Sequence, residues 1–297
     1  MISLIAKCIR FHEMLGAFIR RELRQRYIGS ILGRAWPFLQ PLLILAVYYL
    51  VFVRILQVRL GNADWTKVLV DNFGEDAADS FQLILLCAGL IPWLVTAEFV
   101  VRSANTILEN GALVKKVVFP SELLCVYQLG AQLLNLVIML SVFCTLTYTL
   151  TPFISPLLYL LPLVIILHGV MILGLAYILA TANVFIRDVN QLTPIFVNLW
   201  FFLTPIVYVK EMLPQGSAAL TWLFDYNPMA HLVDLYRWCL IYPEEIRLTV
   251  DESGAPISVE MSDVMTSFAI VFAFAVVFFT IGYYFFMSKK NDFADEL

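Results

Sequence analysis

The chain has 297 residues, of which 61% are hydrophobic and only 14% charged, and its mean hydropathy is +0.84. A soluble domain carries about 25% charged residues, so this composition excludes an ordinary soluble protein and points to several membrane spans. The net charge of −4 gives no reason to expect a nucleic-acid partner, and the five cysteines show no CxxC or other metal spacing.

Residues 3–28 precede any span. Leu4, Cys8, Phe11, Leu15, Phe18, Ile19, Leu23 and Tyr27 recur at spacings of three and four, with Lys7, Arg10, Glu13, Arg20, Arg21 and Arg24 on the other faces. This pattern predicts an amphipathic helix with a cationic side at the membrane interface. A plain basic flank that orients the first span is the competing reading. Arg20, Arg21, Arg24, Arg26 and Arg34 all lie before the first uncharged run. They are candidates for holding a lipid phosphate, which guanidinium groups bind well. Residues 1–35 lack the short apolar core of a cleavable signal peptide, so none is expected. Gly29, Ser30 and Gly33 mark a break.

Span one is predicted over 35–53, with Pro37 in its first turn and Pro41 one turn deeper. A polar, mostly acidic loop follows over 54–80. Span two is predicted over 81–101, and Glu98 lies near its end. The segment ENGALVKKVVFPSE then reads as a short amphipathic helix that stops at Phe119-Pro120. Residues 123–186 hold no Lys, Arg, Asp or Glu, and the TPFISP stretch divides them into spans three (123–150) and four (157–183). His168 in span four either marks a proton path or, as expected here, bonds to a neighbouring helix. Span five is predicted over 189–208 and span six over 264–288. The pieces between them are too short to span, and read as re-entrant or interfacial helices.

With both termini inside, 13 of the 19 basic residues fall on cytoplasmic segments and 14 of the 23 acidic ones outside. That bias supports the orientation. The predicted architecture is an all-α polytopic membrane protein, a single transmembrane domain over 1–297. It divides into an interface helix (1–34), spans one to five (35–208), an extracytoplasmic re-entrant region (209–262), and span six with a cytoplasmic tail (263–297). There is no GxxxxGK[ST] phosphate loop, HExxH or GxSxG, and no pair of carboxylates lies within a span. The chain reads as a conduit that takes its energy from elsewhere.

The stretch RRELRQRYIGSILGRAWPFLQPLLILAVYYLVF resembles the opening of the membrane subunits of type-two ABC exporters for polysaccharides. VKKVVFPSELL (115–124), NVFIRDVNQL (183–192), FFLTPIVY (201–208) and YNPMAHLVDLYRWCL (226–240) follow in the order of that family. The resemblance implies a homodimer, two copies of a separate ATPase subunit that carries ATP and magnesium, and no cofactor or catalytic residue in this chain. The cargo implied is a lipid-linked glycan such as O-antigen, capsule-type polysaccharide or teichoic acid, moved across a bacterial inner membrane. In the family the segment at about 109–119 is a coupling helix, so Asn110, Lys115, Lys116, Phe119 and Pro120 become candidates for ATPase coupling. Topogenic charge is the competing reading for the lysines. Pro205, Tyr208, Asn227 and Pro228 would shape a re-entrant gate. Tyr48, Tyr49, Phe52, Trp93, Trp200, Phe201 and Phe202 are candidates for lining a glycan path, against the alternative of an aromatic belt at the interface. Two other classes stay open: an ABC exporter of small lipids or drugs, and a membrane enzyme of glycan assembly. For the enzyme, Asp225, Asp234, Arg237, Glu244 and Glu245 are the available groups.

Overall fold

The computed structural model describes residues 2–25, 35–55, 75–115, 120–150, 155–207, 222, 224–241, 249–250, 256–257 and 261–297. Arg26, Arg34, Lys116, Phe119, Tyr208, Glu244, Glu245 and the side chain of Phe52 lie outside the described residues. The described chain is helical except for loops and a two-residue antiparallel ladder, with Thr249 opposite Ile257 and Val250 opposite Pro256. The main helices are α1 (Ile2–Arg10), α2 (His12–Gln25), α3 (Trp36–Tyr48), α4 (Glu75–Ser103), α5 (Leu123–Leu150), α6 (Leu161–Phe185), α7 (Asp188–Phe202), α8 (Pro228–Ile241) and α9 (Met261–Lys289). A π-helical stretch, Tyr49–Ile55, continues α3, and a 3₁₀ turn, Pro156–Leu160, leads into α6.

Among the described residues, four helical segments are long and apolar enough to cross a membrane: Leu83–Ser103, Leu123–Tyr148, Pro156–Phe185 and Met261–Lys289. They coincide with predicted spans two, three, four and six. Two boundaries differ from the reading of the sequence. The acidic run at Glu75, Asp76 and Asp79, taken as loop, forms the first turns of α4. Acidic residues are favoured in the first turn of a helix, where the dipole is positive, so such a run suits helix as well as loop. Predicted span five is a 15-residue helix that stops at Phe202 and turns through Leu203–Val207. Pro205 has no N–H to donate, and it disfavours helical geometry at Thr204.

The amphipathic segment near the N-terminus is two helices that nearly run on. The Phe11 N–H still bonds to the Lys7 carbonyl at 2.9 Å, and Leu15 N–H to the Phe11 carbonyl at 2.9 Å. Its apolar side docks on α5. Phe18 stacks on Tyr127 with ring centroids 5.3 Å apart, and Ile19 fills the space that a side chain at Gly130 would need. Arg20, Arg21 and Arg24 stay exposed on the opposite side.

The closest helix pair is α6 with α9. A Cβ built on Gly174 would lie 2.3 Å from the Phe278 backbone, and one on Gly282 only 2.2 Å from the Gly174 carbonyl oxygen. Small residues allow this backbone approach, which gains packing where lipid offers no hydrophobic drive between helices. One turn along, Tyr177 of α6 packs edge-on to Phe279, Tyr283 and Phe286 of α9. Helices α4 and α8 lie deepest. Of α8, only Asp234, Trp238 and Ile241 are less than fully buried, and it packs on α4, α6, α9 and the 3₁₀ turn. A helix covered on nearly every side must also find partners for its polar groups, as His231 and Arg237 of α8 do.

The glycine crossing sets a test. Gly282→Ala is expected to lower the stability of the detergent-purified protein by about 1–3 kcal/mol, the usual cost of overpacking. Gly16→Ala, in α2 with nothing within 4 Å of the added methyl, is expected to gain ~0.5–1 kcal/mol from helix propensity. Thermal midpoints of both variants decide the matter, and equal shifts would contradict the crossing.

Candidate functional site

At one end of the molecule three helices bring aromatic rings together. Trp93 of α4 meets Trp200 of α7 edge-on at 5.6 Å and Phe201 at 5.7 Å. Tyr48 of α3 approaches Phe201 at 6.1 Å, and Phe201 touches Phe202 at 5.2 Å. The group grades from a buried end, Trp93 at 4% exposure, to an open end, Phe202 at 67%. Edge-to-face contacts of this kind are favourable beyond the area they bury. Five of the seven aromatic residues named from the sequence therefore form one cluster. Tyr49 is half-buried beside it in sequence.

The cluster is tied to α8 by Asn227. Its side-chain oxygen accepts from the Trp200 indole N–H and from Met229 N–H, both at 3.0 Å. Its amide nitrogen donates to the Leu203 carbonyl at 3.1 Å and to the Thr204 hydroxyl at 3.0 Å. Asn227 is thus the N-cap of α8, with Pro228 in the first helical position. The same residue also holds the turn where α7 ends. Arg237 of α8 completes that hold: its Nη2 donates to the Ile206 carbonyl at 2.8 Å and its Nη1 lies 3.8 Å from Asp234. Gly89 of α4 leaves room for the guanidinium, since a Cβ there would be 3.3 Å from Nη2. Of the gate residues, Pro205, Asn227 and Pro228 are buried together at this turn.

Behind the cluster, His168 of α6 bonds to two neighbouring helices. Its Nε2 lies 2.7 Å from the Thr96 hydroxyl and its Nδ1 3.0 Å from the Tyr236 hydroxyl. Thr96 donates to the Pro92 carbonyl at 2.9 Å. A neutral imidazole satisfies every member of this chain, with Tyr236 donating to Nδ1 and Nε2–H donating to Thr96.

At the other end, α4 stops at Ser103 and the chain passes through two single turns, Thr106–Glu109 and Gly111–Val114. The coupling segment predicted as one helix is therefore broken at Asn110. There the Asn110 amide donates to the Thr106 carbonyl at 2.9 Å and to the Tyr127 hydroxyl at 3.2 Å. Lys115 is exposed and Pro120 half-buried. Three other asparagines lock the start of this segment. Asn183 of α6 donates to the Ala104 carbonyl at 2.9 Å and to Asn105 Oδ1 at 3.1 Å, while its own oxygen accepts from Asn190 N–H at 3.1 Å. Asn105 Nδ2 donates to Asn190 Oδ1 at 2.7 Å. Arg102 pairs with Glu22 of α2 and lies 3.6 Å from Glu98.

The segment ends at Glu122, whose side chain is wholly buried. Lys7 of α1 donates to one carboxylate oxygen, and Lys290, just past α9, donates to the other at 2.5 Å. Tyr177 O–H donates to the Glu122 carbonyl at 3.0 Å. Burial pushes the Glu122 carboxyl up, but the hydrogen bonds from Lys290 and Lys7 outweigh it and hold the group below its ordinary 4.5. The bond to Glu122 raises the Lys7 ammonium above its ordinary 10.5, against the opposing effect of burial. The clamp is therefore fully present between those ordinary values. It weakens as pH falls through the lowered carboxyl value or rises through the raised ammonium value.

The model of the family described as "ABC-2 type transporter" matches residues 13–241. The chain belongs to the ABC-2 type transporter family. It is 29% identical to the O-antigen export system permease protein RfbA of Myxococcus xanthus over 237 residues, which is 80% of this chain and 84% of that protein. Two proteins of the same name from Klebsiella pneumoniae are 27% and 25% identical, each over 76% of this chain and 79% of their own length. This ABC-2 chain is thus a membrane transport permease and not an enzyme. Its Arg237 and Asp234, candidates under the enzyme reading, are occupied in holding the turn after α7.

Sequence reasoning named the aromatic residues that meet here, as a glycan path or an interfacial belt, and Asn227 and Pro228, as part of a gate; it did not show the α8 cap, the roles of Glu122, Lys7 and Lys290, or the Asn105–Asn183–Asn190 lock. Glu122 reads as one more loop charge in FPSELL, and nothing in its neighbourhood signals burial. Asn183 and Asn190 do carry a signal, as amides on both sides of the short charged loop NVFIRDVN. Asn227→Ala should cost this ABC-2 permease about 2 kcal/mol or more, combining the lost cap with a stranded indole N–H. Asn227→Ser keeps a capping acceptor for the Met229 N–H without a buried charge and should cost less. Thermal midpoints in detergent will rank the two, and the reverse order would contradict the capping role.

Proposed function

We propose that this chain is the membrane subunit of an ATP-driven exporter for a lipid-linked polysaccharide of the O-antigen, capsule or teichoic acid type. The similarity over four-fifths of the chain to permeases named for O-antigen export carries this reading. In it the chain lies in the bacterial inner membrane as a homodimer, with six spans and both termini cytoplasmic. Two copies of a separate ATPase subunit bind ATP and magnesium, in keeping with the lack of any phosphate loop here.

The residues divide the work by position. The segment from Asn110 to Pro120 meets the ATPase, with Lys115 presenting a solvated charge. The exposed Arg20, Arg21 and Arg24 of α2 face anionic headgroups, including the diphosphate of a lipid-linked cargo. The Tyr48–Trp93–Trp200–Phe201–Phe202 cluster offers broad, apolar faces on which sugar rings stack regardless of sequence. Its open end at Phe202 is where cargo first meets it. The turn held by Asn227 and Arg237 is the gate, because it is non-helical backbone at depth whose Leu203 and Ile206 carbonyls are taken by side chains.

Two experiments test the reading. Tagged chain solubilised from native membranes should bring down a stoichiometric subunit with a phosphate loop; a chain that comes down alone would sink the exporter. Lys115→Glu should reduce stimulation of that ATPase by the permease and reduce surface polysaccharide together. Unchanged stimulation and export would remove Lys115 from the contact.

A further inference from the structure

The buried carboxylate of Glu122 is costly where it stands. A fully buried charge is tolerated only when paired and hydrogen-bonded, and a packed apolar residue would serve stability as well or better. Its partners come from far away in sequence, Lys7 lying 115 residues before it and Lys290 168 residues after. Neither lysine is buried in full: their side chains are 34% and 27% exposed. Each ammonium therefore reaches in from a wet edge to meet the carboxylate.

The position of Glu122 matters as much as its charge. It stands two residues after Pro120, where the segment read as meeting the ATPase ends, and one residue before α5 begins. Lys7 sits on α1, which continues into the α2 docked on α5. Lys290 closes α9, and Tyr177, bonded to the Glu122 carbonyl, belongs to α6. One residue thus ties together the N-terminal helices, the motor-facing segment, α5 and the α6–α9 pair. Cutting the carboxylate would release two of these four ties.

We propose that Glu122, with Lys7 and Lys290, is the positioning joint through which displacement of the motor-facing segment reaches both the N-terminal helices and the last span. This rests on the reading that an ATPase acts at residues 110–120. The joint holds no cargo and contacts no nucleotide; it makes three separate elements answer to one movement. A neutral or apolar substitute would keep the fold but loosen that answer.

The test uses the full chain in its native host and in vesicles of native lipid, purified with the ATPase that accompanies the wild type. The triple variant Lys7→Gln, Glu122→Gln, Lys290→Gln removes every charge of the joint, so no unpaired ion is left to unfold the protein. ATP hydrolysis is read as phosphate release, and export as hydrazide labelling of periodate-oxidised glycan on intact cells. Couplings between sites usually amount to about 5- to 150-fold. We therefore expect the triple variant to keep the ATPase bound and hydrolysing, with surface glycan per ATP hydrolysed down about tenfold or more. The full reversal Lys7→Glu, Glu122→Lys, Lys290→Glu, which rebuilds both pairs with opposite sign, should restore a measurable part of that ratio. Export that falls only in proportion to chain level or to hydrolysis would mark a merely structural role and overturn the joint. A wild-type chain that binds no ATPase would instead sink the exporter reading, and the joint with it.

Discussion

The fold depends on one constraint: wherever the chain stops being helical inside the protein, its backbone groups still need partners. Water is scarce there, and an unsatisfied amide or carbonyl is expensive. In this permease side chains supply the missing bonds. Asn227 takes the Leu203 carbonyl and caps α8, while Arg237 takes the Ile206 carbonyl. Asn183 takes the Ala104 carbonyl and the Asn190 amide where α4 ends and α7 begins. Ser155 accepts from Leu157 N–H and donates to the Trp238 carbonyl, pinning the 3₁₀ turn against α8. Each break in a helix is thus also a point where two elements are joined.

The chemistry of these joints changes with depth. Amides and hydroxyls serve in the middle, because a dipole can satisfy backbone groups without the solvation cost of an ion. His168 fits the same rule, held in a chain of neutral donors and acceptors from Thr96 to Tyr236. Charges gather at the flank, where Lys7, Lys290, Arg102 and Glu22 keep part of their side chains in water and extend their stems inward. Arg237 is the exception at depth, and it needs both Asp234 and a carbonyl to be there.

Legibility in the sequence followed the same division. Long uncharged runs announced the four segments able to cross a membrane, because span length is a property of composition alone. Trp93, Trp200 and their aromatic neighbours stand out in the sequence one by one, but their meeting across three helices is visible only in the structure. The Asn-Pro pair at 227–228 reads as part of a gate, and its capping of α8 likewise appears only in the fold. Glu122 was not legible, since burial of a loop charge depends on partners at the two ends of the chain. The end of α7 was hidden too: LTPIVY reads as apolar span, and only the turn around Pro205 shows that the helix has stopped. The early start of α4 was missed for the opposite reason, as EDAADS is polar enough for a loop yet suits a helix N-terminus.

The glycine crossing of α6 and α9 bears on where movement can occur. With backbone against backbone at Gly174 and Gly282, and Tyr177 packed among Phe279, Tyr283 and Phe286 one turn along, the two helices form one tightly packed body. That body is fixed to the rest of the chain at a few polar points. At one end are Lys290 and the Tyr177 hydroxyl, both bonded to Glu122. At the same flank Asn183 grips the end of α4 and the start of α7, the helix that carries Trp200 and Phe201. Packed cores resist continuous deformation, and hinge movement is taken up by the few residues at element ends. A push on the segment between Asn110 and Pro120 therefore has two ways out. One runs through the asparagine lock to α7 and the aromatic cluster, the other through Glu122 to the α6–α9 body. Both begin within the same short stretch of chain, so under the proposed function the turn after α7 and the last span would answer to a single place.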